Sequence, residues 1–269
     1  MQEQKSRQPA GGESSFSPNA LGEINSRFGV KNMKYMQAIK DDLLKLTDAE
    51  KASFLPKFFQ AFPGGYGEGD RFIGVTVPNQ RKVAKKYYKV FSMVEVEELL
   101  KEPIHEYRLT ALIIMVLKYE KSNNEEEKKS IVDIYLDNTQ FINNWDLVDS
   151  SADKILGPYF LQKDKDLLYK FLQSGNLWKQ RIAVLTTYHF IRNHQFDDTL
   201  KMTEVLISNK HDLIHKAVGW MLREIGNRDI DVELNFLKKH YKQMPRTMLR
   251  YAIEKFEESL RQQFLKGLV

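Results

Sequence analysis

Residues 211–227, HDLIHKAVGWMLREIGN, carry the decisive pattern. Ile214, Val218, Met221, Leu222 and Ile225 fall at i, i+4, i+7, i+8 and i+11, a complete apolar stripe on one helix face. Trp220 is off that stripe. Its turn neighbours are Lys216, Arg223, Glu224 and Asn227, so the indole projects from the polar side. A Trp among cations reads as part of a binding surface; packing on a neighbouring helix is the plainer alternative.

The same periodicity extends in both directions. Helices are predicted over roughly 33–46, 48–62, 79–91, 94–101, 104–121, 125–137, 144–161, 164–174, 177–193, 197–208, 211–226, 232–243 and 246–265. Thr47/Glu50 and Ser92/Glu95 read as capping boxes, and Pro103 and Pro245 stand where first-turn prolines are tolerated. Only Ile73 to Val77 looks strand-like. Arg108, Trp145, Arg181 and Trp220, one from each alternate helix, lie 37, 36 and 39 residues apart. That spacing approaches the period of two-helix HEAT-like units. The expected fold is therefore all-α, a curved solenoid (superhelix) of antiparallel helix pairs, with a compact bundle as the alternative.

Composition agrees with one folded unit. Apolar residues make up 42%, with 16 Phe and 12 Tyr, enough for a sizeable core. The longest apolar run, Ala111 to Leu117, is far short of the ~20 residues that cross a bilayer. Residues 1–22 are polar and rich in Gly, Ser, Pro and Gln, which predicts a disordered tail before a single domain over 23–269. That tail lacks the apolar core of a signal peptide, and there is no cysteine. A cytoplasmic monomer is expected. The charge of +5 permits a polyanionic partner, but its placement decides.

Three further stretches bear on chemistry. In NNWDLVDSSADKIL, Asp149 stands one turn after Trp145, a carboxylate beside an aromatic that suits a cation. Asn144 as a helix cap, with acids near the positive end of the dipole, explains the same residues structurally. In NLWKQRIAVLTTYHF, Arg181 lies in an apolar helix and needs an anion; a phosphate or an internal Asp or Glu would serve. RKVAKKYYK supplies Arg81, Lys82 and Lys85, and PRTMLRYAIEKF supplies Arg246 and Arg250. Together with Lys216 these would track phosphates if they shared a surface. His211 and His215 have metal-ligand spacing without a third ligand, so no metal and no cofactor is expected. GGYGEGD (64–70) lacks the Lys-Ser/Thr of a nucleotide loop and reads as a flexible turn.

Four strings in order, GDRFIGVTVPNQRKVAKKYY, NNWDLVDSSADKILG, NLWKQRIAVL and KAVGWMLREIG, resemble the DNA alkylation repair family of AlkD-type DNA glycosylases, from about residue 33 onward. The resemblance implies a HEAT-like solenoid that holds double-stranded DNA in a basic groove. It implies hydrolytic release of cationic 3-methyladenine and 7-methylguanine, with the backbone gripped and the lesion left unflipped. The protein would then be nucleoid-associated when bound to DNA. It maps the aromatics onto Trp145 and Trp220, the catalytic acid onto Asp149 and a backbone-binding Arg onto Arg181. A non-catalytic solenoid that binds damaged or branched DNA, and a protein-interaction scaffold, are the alternatives.

Overall fold

The computed structural model describes residues 35–269. The expected tail, 1–22, lies outside them. A first helix, α1, covers 35–44 and buries Ile39 and Leu43 completely. Next come α2 (Ala49–Phe58), α3 (Val77–Tyr87), α4 (Met93–Leu100), α5 (His105–Lys121) and α6 (Glu125–Asp137). After a 3-10 turn at Thr139–Phe141 follow α7 (Trp145–Asp149), α8 (Ala152–Phe160), α9 (Asp166–Gln173), α10 (Leu177–Arg192) and α11 (Asp197–Leu206). The chain ends with α12 (Asp212–Gly226), α13 (Ile230–His240), α14 (Arg246–Ala252) and α15 (Glu258–Lys266).

Packing arranges these helices in two rows. In one, α5, α8, α10, α12 and α14 each lie against the next. In the other, α4, α6, α9, α11 and α13 back the first row, α4 on α5, α6 on α8, α9 on α10 and both α11 and α13 on α12. This is the stacking of helix pairs expected of a helical repeat. It explains why α5 and α10 have no polar face of their own. Residues from His105 through Val116, and from Gln180 through Thr187, are buried without interruption because neighbours flank these helices on each side. Among the described residues there is no strand; Ile73 to Val77 is extended backbone, and a single bridge pairs Arg71 with Ile104.

Local chemistry sets the helix ends. The Ser92/Glu95 capping box forms, each side chain bonded to the other's backbone N–H. At α2 the cap is Asp48 instead of Thr47, with its carboxylate accepting from Lys51 N at 3.0 Å. Two predicted helices are broken. The 144–161 segment divides at Ser150–Ser151, where the buried Ser151 hydroxyl donates to Leu147 O at 2.6 Å and meets the Tyr135 hydroxyl at 3.0 Å. A side chain that bonds to the preceding turn in this way competes with the helical ladder. The 246–265 segment divides at Ile253–Lys255, where Phe256 turns to extended backbone and packs on Phe264.

The segment between α2 and α3 is tightly anchored. Buried Glu106 accepts from Ile73 N and from Gly74 N at 2.8 Å, fixing the extended backbone. Gly74 has φ +80°, and a Cβ there would collide with Asp48 O at the start of α2, so only glycine fits.

Candidate active site

The site is built outward from the start of α7. Asn144 is wholly buried; its side-chain oxygen accepts from Trp145 N at 2.8 Å, so it is the cap that the sequence suggests. Its amide donates to Asp70 Oδ2 at 2.9 Å. Asp70 also faces Arg108 and accepts from His105 Nδ1 at 2.9 Å, while His105 Nε2 reaches Asp146 Oδ2 at 2.8 Å. Burial pushes the imidazole pKa down, but the Asp146 and Asp70 carboxylates outweigh it and hold the pKa at about 9. Both ring nitrogens therefore donate. Asp70 is the mirror case: burial raises its pKa, and His105, Arg108 and Asn144 bring it below the ordinary value. GGYGEGD is thus a packed turn that delivers Asp70 to this network, not a loose connection.

Trp145 stands on this base. Its ring stacks on Phe59 at 5.3 Å and 27°, and meets Phe58 edge-on at 6.0 Å. One turn later, Asp149 receives a fork from α10, with Arg181 Nε at 2.9 Å and Nη2 at 2.7 Å. The remaining terminal nitrogen of Arg181 donates to Leu213 O at 2.5 Å, tying in the first turn of α12. The partner that an apolar helix demands for Arg181 is therefore an internal carboxylate. Burial raises the Asp149 pKa by more than Arg181 lowers it, leaving the carboxyl above its ordinary value.

Trp220 comes from α12. It is half-buried: its indole N–H donates to Glu224 at 3.2 Å and its ring tilts against Tyr188 of α10 at 5.7 Å. Trp145, Asp149, Arg181 and Trp220 nevertheless line one cleft of about 460 Å3. Phe58, Tyr66, Lys216, Arg223 and Tyr251 are also among its walls. Lys216 is paired with Asp212 at 2.7 Å, and Arg223 with Glu254.

The other cations divide. Arg81 lines an adjoining hollow that shares Trp145 and Asp149 with the cleft. Lys82 and Lys85 are exposed on α3, without an ion pair among the described residues. Arg246 turns away, donating to Leu265 O at 2.7 Å near the C-terminal helix. Arg250 is exposed but does not line the cleft, because Tyr251, one residue on, holds the facing position. His211 caps α12, accepting from Leu213 N, and His215 bonds to Asn209 O at 2.6 Å. Among the described residues no three His, Asp or Glu side chains converge as a metal site.

Sequence reasoning missed Phe58, Tyr66, Tyr251 and His105. The aromatic density of FLPKFFQAF (54–62) was the available signal for Phe58. Tyr66 sits within the turn set aside as a connection.

The DNA alkylation repair enzyme family matches residues 39–256. A solved structure described as a predicted DNA alkylation repair enzyme from Enterococcus faecalis aligns with a TM-score of 0.58 at 15% identity, covering 79% of this chain and 97% of that one. At that identity the likeness concerns the fold. No curated protein matches the sequence. The matched span includes both indoles, the carboxylate and the guanidinium of the cleft, and the chain belongs to the DNA alkylation repair enzyme family.

Proposed function

We propose that the cleft is the catalytic centre of a DNA glycosylase, a hydrolase that releases cationic alkylated purines of the 3-methyladenine and 7-methylguanine type from double-stranded DNA. The observation that carries this reading is Asp149: a carboxylate fixed by a two-pronged guanidinium and lining a cleft that two indoles also line.

The chemistry asks little of acids and bases. An alkylated purine already carries positive charge, so the N-glycosidic bond breaks with its electron pair going to the base, which leaves neutral. Positive charge passes to C1′ and the ring oxygen of the sugar. Asp149 offers preorganised negative charge to it, and the faces of Trp145 and Trp220 offer their quadrupoles. Water then adds at C1′ and gives up its proton, leaving an abasic site. Burial holds the Asp149 pKa above its ordinary value despite Arg181, and a cationic sugar beside the carboxylate would favour its charged form.

Arg181 acts in this reading chiefly by aiming Asp149, since three of its nitrogens are already engaged. Its remaining N–H groups are left for a phosphate. Arg81 and Lys216, with Lys82 and Lys85 alongside, would grip the backbone and leave the lesion in the duplex; Arg246 and Arg250 would meet DNA only beyond the cleft.

The test is base release from methylated duplex DNA by purified protein, without added metal. Asp149→Asn is expected to lower 7-methylguanine release by about 10²–10³-fold, as for loss of one preorganised charge partner. Its DNA affinity should hardly change. Equal release by the variant would remove Asp149 from the mechanism. Tight binding without release by wild type would favour a non-catalytic binder of damaged or branched DNA, a role that the neutralising Arg181–Asp149 pair also suits.

A further inference from the structure

Beneath Trp145 lies a buried ionisable group that takes no part in the chemistry of the cleft. His105 opens α5, is 2% exposed and is not among the residues lining the cleft. A charge at such depth needs paired, hydrogen-bonded surroundings. Those surroundings tie the imidazole to Trp145 by two separate routes.

The first route runs through hydrogen bonds. Nε2 donates to Asp146 Oδ2 at 2.8 Å, and Asp146 follows Trp145 in the first turn of α7. Nδ1 donates to Asp70 Oδ2 at 2.9 Å. The same oxygen accepts from the amide of Asn144, which precedes Trp145 and caps its N–H. Both chain neighbours of Trp145 are therefore held by one imidazole, Asp146 directly and Asn144 through Asp70. Arg108, the other cation here, faces Asp70, while Glu106 is engaged by Ile73 and Gly74. The second route is ring contact. His105 lies 4.9 Å from both Phe59 and Phe72, which stack on each other at 5.2 Å and offer their faces to a cation. Phe59 stacks in turn on Trp145.

The helix so held cannot fix itself. α7 has five residues and buries only Leu147 and Val148, too little to set its own axis. We propose that His105 is a positioning residue, which sets the place of the Trp145 ring in the cleft wall without meeting the substrate. Its effect on base release rests on the glycosylase reading; the placement of the indole does not.

Fluorine NMR of the full chain labelled with 5-fluorotryptophan tests it, since there are three indoles to resolve. Trp145→Phe identifies the Trp145 signal. His105→Gln should move that signal and leave those of Trp178 and Trp220 in place. In wild type the Trp145 signal should shift between pH 7 and pH 10, across the His105 pKa of about 9, and this shift should vanish in the variant. Tyr66, whose hydroxyl lies near Trp145, has its pKa raised by burial and titrates later. On methylated duplex, kcat for 7-methylguanine should fall by up to about 10²-fold with KM nearly unchanged, as for a small misplacement at the reacting centre.

An unmoved Trp145 signal in His105→Gln, equal movement of all three signals, or a loss confined to KM overturns the proposal. The wild-type titration needs no variant: if His105→Gln fails to fold, a Trp145 signal indifferent to pH over that interval overturns it as well. Selective movement in a protein that releases no base would support the positioning and sink the glycosylase. Release with an unmoved signal would do the reverse.

Discussion

The buried imidazolium at the base of the site makes stability depend on pH in a calculable way. His105 has a folded pKa of about 9 against an ordinary 6.5, because Asp146 and Asp70 outweigh its burial. Below 6.5 the ring is protonated in both folded and unfolded chains, and its stabilisation is fully present. As pH rises through 6.5 toward about 9, the unfolded chain releases the proton while the folded chain keeps it, and the stabilisation is lost. The difference between the two values corresponds to about 3 kcal/mol. His105→Gln removes this titration and leaves two buried carboxylates with a poorer partner. Urea unfolding should therefore show the variant destabilised by about 3 kcal/mol at mildly acidic pH, within the range for breaking a buried pair. The gap to wild type should shrink by about the same amount between pH 6 and pH 9. A gap constant to within about 0.5 kcal/mol over that interval, the usual scatter of such differences, would refute the protonated bridge.

Three other outcomes follow from the packing. Gly219 of α12 faces Met248 O and Tyr251 of α14 so closely that an added Cβ overlaps both; Gly219→Ala should cost about 1–3 kcal/mol by chemical denaturation and lower base release by displacing the neighbouring Trp220. Glu233 is buried against Gly226 with an unpartnered oxygen, and burial raises its pKa to about 9. As its folded pKa lies above the unfolded value, it weakens the fold increasingly as pH rises from about 4.5; Glu233→Gln should stabilise at pH 8 by roughly 1 kcal/mol or more and lose that benefit near pH 5, as thermal melts would show. Arg181→Lys keeps the charge but not the fork: release of 7-methylguanine should fall about tenfold or more with little change in DNA affinity, and an affinity loss alone would return Arg181 to the phosphate backbone.

Much of the architecture was written in apolar spacing. The stripe of α12 and the recurrence from Arg108 to Trp220 predict the helix pairs, and even the cap Asn144 is legible, because these depend on neighbours in the chain. Helix breaks were not. Ser151 ends α7 through a bond to Leu147 O that Tyr135, from the paired helix α6, helps to hold, and Phe256 leaves the helix to reach Phe264. The site was half legible. Trp145 and Asp149 are one turn apart, so their adjacency is local, and the demand of Arg181 for an anion was visible without showing which anion. His105, Tyr66 and Tyr251 gain their meaning from long-range placement alone. The basic clusters do not by themselves say which of their residues border the cleft: charge runs mark solvated faces, and the buried residues set which face is turned inward, so that Tyr251 rather than Arg250 lines it.

The four cleft residues belong to three successive pairs of the stack, with Asp149 and Arg181 clasped across one junction and Trp220 beyond the next. The gap between the two indoles is therefore governed by superhelical pitch rather than by any single loop. A small change in rise or rotation at the α8–α10 or α10–α12 junction would widen or narrow it without touching a cleft side chain. On the proposed glycosylase reading, tolerance toward lesions of different bulk could then evolve through substitutions in the hydrophobic seams between pairs, far from the cleft itself.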